Sequence, residues 1–277
     1  MRVPMAAMLA AVALAACAPP SRRLTPRVVE DPVVLPKRMA SVSTAISFVH
    51  YEPTDAQGTF GQPGFRYGMT NRLEWFGLIG LRLAILDDRP ADGRAPMPFS
   101  LALHAGVMGI GYSSAEGMIV QPVASVTALK HVADRWALSL VAGWQAQWVE
   151  HGGLFPVTPA YGRTLTYSGR RGSTFTLTGT VTRQLSERIA LGVAPSVAQT
   201  NDCVDPTCGW VSQSASGTVF VSGRPWDWLT VSLGPEGGVR HRPDAVLPMT
   251  YPDGRSIYIP PTTVTWFGVS GLAAFYW

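Results

Sequence analysis

Histidines and their neighbours are the first residues in this sequence that could do chemistry. A hydrolase needs a histidine close to a nucleophile and to an orienting acid or amide. The five histidines are His50, His104, His131, His151 and His241. None stands in such a motif, and paired carboxylates, phosphate-binding glycine loops and metal-ligand spacings are also missing from the sequence. The sequence therefore predicts a protein without catalysis, cofactor or metal.

A second group of reactive side chains lies within segments that alternate between apolar and small or polar residues. The group consists of Arg66, Glu74, Arg82, His104, Glu236 and Arg240. In a strand these residues point away from apolar neighbours such as Phe65 and Leu81. Two hypotheses follow for a closed sheet. The group is either a filter for an anionic solute or a paired ionic network that fills a narrow interior, and the many Ala, Gly, Ser and Thr residues on that face favour the network.

The elements that position these side chains are strands with a period of two. In residues 136–148, Trp136, Leu138, Leu140 and Trp144 share one face, and in 173–183 Phe175, Leu177 and Val181 oppose a row of threonines. Such runs of 11–13 residues exceed the usual globular strand of about 5–6. They match the ~9–11 residues of a tilted membrane-spanning strand.

Composition agrees with this interpretation. Only 14% of the 277 residues are charged, whereas 47% are hydrophobic, and a soluble domain carries about 25% charge. The 28 glycines and 23 prolines are typical of a chain with many turns. A helical bundle is excluded by this turn content.

The N-terminus carries a targeting pattern. Residues 3–16 form an uncharged, alanine-rich stretch of fourteen residues, too short for a membrane-spanning helix and typical of the apolar core of a signal peptide. It ends Leu14-Ala15-Ala16-Cys17, which resembles the lipobox of bacterial lipoproteins. The resemblance implies cleavage before Cys17, lipidation of Cys17 and sorting to the outer membrane; an ordinary signal peptide cut nearby is the alternative.

Residues 18–36 contain five prolines and are predicted to be an extended, solvated tether. The domain prediction is therefore a signal peptide over 1–16, the lipidated cysteine and tether over 17–36, and a β-barrel over 37–277. The last residues alternate up to Phe275 and Trp277. This ending resembles the C-terminal signal of bacterial outer-membrane β-barrels.

Strand number follows from parity, because a lipidated Cys17 and the C-terminus both belong in the periplasm. The fold prediction is all-β: one antiparallel up-and-down barrel of twelve strands, with a tight turn near Gly77-Leu78. The predicted strands are 41–51, 62–70, 72–77, 79–87, 98–112, 117–130, 135–149, 172–184, 188–200, 210–223, 227–241 and 262–277. Ten strands is the alternative. Short turns alternate with long loops at 52–62, 151–171, 201–209 and 242–260, as in outer-membrane barrels.

The loops hold the remaining candidates. Cys203 and Cys208 are predicted to form a disulfide in an oxidising compartment, with two free thiols as the alternative. Arg163, Arg170 and Arg171 could contact lipopolysaccharide phosphates, and solvated loop charges explain them equally well. Trp136 and Trp148 are placed at the two membrane interfaces, Trp226, Trp228 and Trp277 at the periplasmic one, and Trp210 at the outer one.

The functional expectation is a non-catalytic outer-membrane barrel lipoprotein with a structural or surface-interaction role. The alternatives are a narrow passive pore, a lipid-modifying barrel enzyme and a soluble β-sandwich lipoprotein. The expected partners are outer-membrane lipids, lipopolysaccharide and the machineries for export, lipoprotein sorting and barrel assembly. Nucleic acid is not expected, because the basic residues form no stripe, and the oligomeric state is left open.

Overall fold

A computed structural model of the chain describes residues 24–52, 56–77, 79–90, 93–113, 117–150, 171–204, 207–242, 245–250, 256–259 and 261–277. Over these residues the chain forms a short 3-10 helix, Val28–Glu30, and fourteen strands. The strands are β1 (Ala40–Glu52), β2 (Ala56–Gly68), β3 (Leu73–Phe76), β4 (Ile79–Leu86), β5 (Ser100–Ser113), β6 (Gly117–Val132), β7 (Trp136–Glu150), β8 (Arg171–Gln184), β9 (Ile189–Val204), β10 (Thr207–Trp226), β11 (Leu229–Arg242), β12 (Ala245–Thr250), β13 (Ser256–Ile259) and β14 (Thr262–Tyr276).

Twelve of these described strands close into one antiparallel barrel. Each pairs with its neighbour along the chain from β1 to β11, and β14 joins β11 to β1. The closing pair runs from Ser41 opposite Tyr276 to Glu52 opposite Thr265. The prediction of a twelve-stranded up-and-down barrel is confirmed, including the separate β3 and β4. The remaining strands, β12 and β13, form a hairpin of their own that the sequence pattern did not reveal.

Alternation along the strands gives the barrel an apolar outside and a polar inside. On β8, Phe175 and Leu177 are 52% and 44% exposed, while the threonines at the alternate positions face inward. Two of these bond across to β9: the Thr174 and Thr200 hydroxyls lie 3.1 Å apart, and Thr178 and Ser196 lie 2.8 Å apart. The hydroxyl groups on the inner face therefore satisfy one another.

Aromatic residues gather on the outer surface at the end where the chain termini of the barrel meet. The Trp226 and Trp228 rings stack at 5.2 Å, and Trp228 stacks on Phe275 at 6.0 Å. Trp136 is also exposed near this end. Their positions agree with the predicted interfacial row, whereas the side chains of Trp148 and Trp210 lie outside the described part of the chain.

The proline-rich segment differs from the predicted solvated tether. Residues 24–39 enter the barrel at the end that carries its termini, and Val29, Val34 and Leu35 are buried. The sequence 33–35 is Val-Val-Leu, an apolar group that gains free energy when it is removed from water. The proline-rich composition indicated an extended segment, but it did not indicate whether the segment is solvated or buried. Residues 17–23 lie outside the described residues.

The predicted long loops are shorter than expected where the structure describes them. β1 ends at Glu52 and β2 begins at Ala56, so most of 52–62 is strand. Glycine and proline interrupt the alternation in this segment, which is why the pattern indicated a loop. At the opposite end, β4 and β5 are joined by a thirteen-residue connection, 87–99, that was not counted among the long ones.

Among the described residues, no helix is long and apolar enough to cross a bilayer.

The β3–β4 hairpin depends on the conformation of Gly77. Its φ is +67°, in the left-handed region that side chains with a Cβ disfavour. We expect Gly77→Ala to lower the free energy of unfolding by about 1 kcal/mol, measured by denaturant titration in lipid vesicles. Gly179→Ala is the matched control, because neither glycine has a heavy atom within 4 Å of the added Cβ. Equal effects of the two variants would contradict this explanation.

Candidate functional site: the closed end of the barrel

Glu74 on β3 is the centre of the polar group inside the barrel. The Arg66 Nε donates to its Oε1 at 2.7 Å, and the Arg66 Nη2 donates to its Oε2 at 2.8 Å. The backbone N–H of Leu35 donates to the same Oε2 at 2.7 Å. The Arg82 Nη1 lies 3.6 Å from Oε1. Glu74 thus binds the inserted segment to the barrel wall.

This carboxylate is fully removed from solvent. Glu74 is 0% exposed, and Arg66 and Arg82 are mostly covered. A buried charge is tolerated only when it is paired and hydrogen-bonded. The bidentate arginine and the amide of Leu35 fulfil that condition. The hydrogen bonding of the buried carboxylate is therefore completed by the inserted segment, and the segment is held by the carboxylate.

Arg224 on β10 forms a second attachment on the other side of the barrel. Its Nη2 donates to both carboxylate oxygens of Asp31, at 2.7 and 2.8 Å, and its Nη1 donates to the carbonyl of Thr25. Its Nε donates to the Thr230 hydroxyl at 3.0 Å. Arg224 is 0% exposed. An arginine buried to this degree requires its anion, and the inserted segment supplies Asp31.

Apolar contacts complete the attachment. Val33 and Val34 pack on Ala84 and Ala102, and Val29 packs on Ala137 and Ala190. Small residues at these wall positions leave room for the inserted segment. The backbone N–H of Val29 also donates to the Gln184 side chain at 3.1 Å.

A third polar cluster, which sequence reasoning missed, holds the 87–99 connection. The Ser100 hydroxyl donates to Asp88 Oδ1 at 2.6 Å, and Asp88 Oδ2 lies 2.7 Å from His131 Nδ1. The serine is bonded to the aspartate rather than to the histidine, so no base faces a nucleophile here. Burial favours a raised pKa for Asp88, but hydrogen bonds from His131 and Ser100 outweigh it and lower the pKa to about 2.

His104 lies beside the Glu74 group without joining its ion pairs. Its ring contacts Phe76 edge-on at 4.5 Å, and its Nδ1 lies 3.4 Å from the Ser125 hydroxyl. The Arg82 guanidinium lies over the Phe76 ring, 4.5 Å from its centroid. Phe76 therefore contacts both a cation and an imidazole on the inner face.

Four of the six predicted inward residues come together, and two do not. Arg66, Glu74, Arg82 and His104 form the group just described. Glu236 and Arg240 lie on β11, where their register partners are Gly268 and Val264 on β14, outside that network. The two halves of the predicted cluster are separated because β3 and β11 lie in different parts of the barrel wall.

The remaining candidates lie in or next to parts that the structure does not describe. Cys17, Arg163 and Arg170 are outside the described residues, and Arg171 is the first residue of β8. Cys203 and Cys208 are direct backbone partners across β9 and β10, a register whose Cα spacing suits a disulfide; the bond stays a prediction. Within the described residues, no group of three or more His, Cys, Asp or Glu side chains could hold a metal ion.

Burial along β10 shows how far the inserted segment fills the barrel. Arg224 and Ser222, near the closed end, are 0% and 3% exposed. Farther along the same inner row, Ser214, Ser216 and Thr218 are half-exposed. The interior is thus packed at one end and accessible to solvent, between walls rich in hydroxyl groups, beyond it.

The fold and this site define a class: a closed antiparallel barrel of twelve strands whose own N-terminal segment fills one end. Solved structures similar to it are bacterial outer-membrane barrels. An OmpT outer-membrane protein of Vibrio cholerae is 10% identical over 86% of this chain and 97% of that one, with a TM-score of 0.39. A NanC porin is 9% identical over 82% and 98%, with a TM-score of 0.39.

The outer-membrane protease OmpT from Escherichia coli is 10% identical over 93% of this chain and 100% of that one, with a TM-score of 0.36. No family model matches the sequence, and no curated protein matches it. The barrel assignment therefore rests on the strand pairing of this chain itself.

Removal of the Glu74 charge tests the centre of the site. We expect Glu74→Gln to lower the free energy of unfolding by roughly 3–5 kcal/mol, because Arg66 and Arg82 would remain buried without an anion. The measurement is a denaturant titration followed by heat-modifiable migration on a gel. Glu187→Gln, at an exposed turn position, is the control and should change little. A small effect at Glu74 would show that the pair does not hold the segment.

The Asp88 cluster predicts a dependence of stability on pH. The folded-state pKa of about 2 is below the ordinary value of 3.8, so the stabilisation is present above about pH 4 and is lost as the pH falls toward 2. We expect the stability difference between the natural protein and Asp88→Asn to shrink over that range. Unfolding titrations at pH 5, 3 and 2 measure it. A constant difference would rule out a charged Asp88 as the cause.

Proposed function

We propose that this protein is an outer-membrane barrel that is non-conducting at rest and serves a structural or surface-interaction role without catalysis. The apolar outer face supports the membrane location, since Phe48, Leu233 and Phe267 are 60%, 60% and 57% exposed. Strands of thirteen to fifteen residues such as β1, β7 and β14 are long enough to cross a bilayer when tilted. A soluble sandwich would have no reason to expose such a surface.

One observation supports the proposal that the barrel does not conduct at rest: residues 24–39 fill the end of the barrel at which its termini meet. Glu74 and Arg224 hold this segment from different parts of the wall. Both charged residues are fully buried, which leaves no solvent path through these two contacts. We assign this closed end to the periplasm.

The length of chain between Cys17 and the inserted segment is compatible with the proposed lipid anchor. Six residues lie between Cys17 and Leu24, and the seven Cα–Cα steps of such a chain span up to about 25 Å when extended. A lipid on Cys17 would then sit in the periplasmic leaflet next to the closed end. Anchor and inserted segment would tie the same end of the barrel to the membrane.

A narrow passive pore is the second candidate. The half-exposed serines and threonines of β8 to β10 would suit a water-filled passage if the segment left the barrel. This function requires release of the contacts of Asp31 and Leu35.

Conductance in planar lipid bilayers distinguishes the two functions. We expect the intact protein to give no stepwise current, and Asp31→Asn to give intermittent steps, because the buried Arg224 would lose its anion and release the segment. Asp227→Asn is the matched control, since Asp227 pairs with Arg188 at the exposed surface at 3.4 Å. Its behaviour should equal that of the natural protein.

Steady current from the intact protein would overturn the non-conducting proposal in favour of the pore. The same preparation checks the membrane location through Cys17→Ser. That variant should still require detergent and should still migrate differently before and after heating. A freely soluble variant would instead support the β-sandwich lipoprotein.

A further inference from the structure

Among the described strands, the pairing of the barrel wall stops early beside the β3–β4 hairpin. β2 pairs with β3 only from Gly68 to Arg66, and the last backbone contact is the N–H of Gly77 donating to the carbonyl of Phe65 at 2.8 Å. Beyond that point, residues 56–64 of β2 pair with β1 on one side. Among the described strands, none pairs with their other side.

The edge of β5 that faces β2 also extends beyond its pairing with the β3–β4 hairpin. Its last pair with β4 joins Val107 to Ile79, while its pairing with β6 continues to Ser113. Residues 108–113 therefore also have one strand partner among the described strands. A gap bounded by β2, the hairpin turn and β5 follows from this register.

The gap lies at the depth of the membrane. β4 has eight residues, about 26 Å along its axis and near 20 Å after tilt, whereas the apolar band of such a barrel is about 25 Å tall. β3 has four residues, so it is shorter still. Ile79 and Leu81, next to the turn, are 58% and 50% exposed. The apolar surface thus continues up to the lower rim of the gap.

Both edges of the gap carry features that discourage pairing with another strand. Successive residues of a strand direct their backbone groups to opposite sides, and Phe65 bonds toward β3, so the nitrogen of Pro63 lies on the gap side. Proline has no N–H to donate there, and prolines are confined to such edges. On β5 the register shifts between Val107 and Gly109, a bulge of the kind that protects edges. A second chain adding a strand is disfavoured.

Free backbone groups cannot face hydrocarbon without cost. Non-helical backbone at membrane depth is tolerated where it lines water or polar groups. The inner row of β10 beyond the closed end is accessible to solvent, so the unpaired edges of β2 and β5 lie between that interior and the lipid. An occupant of the gap must offer polar groups to the inside and an apolar part to the membrane.

The charges inside the rim favour an anion. Arg66, Glu74 and Arg82 sum to a net charge of +1, and Glu74 is closer to Arg66 than to Arg82. The Nε of Arg82 is buried without a hydrogen-bond partner among the described residues. Phe76, which Arg82 covers, is the last residue of β3 before the turn, so this cation lies close to the lower rim of the gap.

We propose that the gap between β2 and β5 is a lateral binding site for a single-chain anionic amphiphile, whose head group is held by Arg82 and whose chain extends between the strands into the membrane. This site rests on the membrane location of the proposed function. Its head-group end borders the closed end at Arg82 and the rest lies beyond the inserted segment, so binding does not require an open pore. A lipid-derived carboxylate and a lipid-derived phosphate share this chemistry.

Fluorescence quenching by 16-doxyl-stearate in nanodiscs of zwitterionic lipid tests the site. A bimane label on Ile79→Cys lies at the rim, and one on Leu233→Cys, equally exposed on β11, is the positional control. We expect saturable quenching at position 79 above the uniform background at position 233. Arg82→Gln should weaken the saturable component at least tenfold, while Arg82→Lys should retain most of it and Arg72→Gln, at an exposed turn, all of it.

Head-group chemistry is resolved by competition with unlabelled laurate, dodecyl phosphate and dodecanol. Displacement by either anion and not by the alcohol supports the proposal, and the stronger anion identifies the source. Equal quenching at positions 79 and 233, or an unchanged Arg82→Gln, in a protein that remains heat-modifiable would overturn the lateral site and leave the barrel function standing. Loss of the detergent requirement would instead overturn the membrane location.

Discussion

A charge that cannot be left unpaired in a dry interior is the constraint on which this structure depends. Glu74 has no solvent exposure, and its oxygens are satisfied by Arg66 and by the backbone of Leu35. The hydrogen bonds of the buried groups in the wall are completed by the inserted segment, and those of the segment are completed by the wall. Arg224 repeats the arrangement with Asp31. Burial makes both contacts strong, because Glu74 and Arg224, which have no solvent exposure, would each bear the desolvation cost without their partners.

The same constraint explains why the two halves of the interior differ. Near the closed end the wall carries alanines such as Ala84, Ala102 and Ala190, which make space for Val29, Val33 and Val34. Farther along, hydroxyl pairs such as Thr178 with Ser196 line the wall and satisfy each other without any inserted chain. Packing therefore ends where the segment ends, and the open part of the interior begins there.

Much of the barrel could be predicted from particular residues. The alternation in β7, β8 and β14 marks long strands with one apolar face, and parity required the turn at Gly77, whose positive φ confirms it. The inward direction of Arg66, Glu74, Arg82 and His104 also follows from alternation. The insertion of residues 24–39 could not be predicted, because prolines in a short polar-apolar segment are equally typical of a solvated tether. The Asp88–His131 contact could not be predicted either, since 43 residues separate its members.

By itself, the sequence determined which face of each strand is apolar and which is polar, because side-chain alternation is a local property of the backbone. It also indicated twelve strands, with ten as the alternative, and that the few charges within the strands are kept from the outer surface. Only the tertiary structure decided which charges meet, that the N-terminal segment fills one end, and that residues 56–64 of β2 and 108–113 of β5 each have one strand partner among the described strands. Those features depend on register and on contacts between residues far apart in the chain, and neither leaves a periodic signal in the sequence.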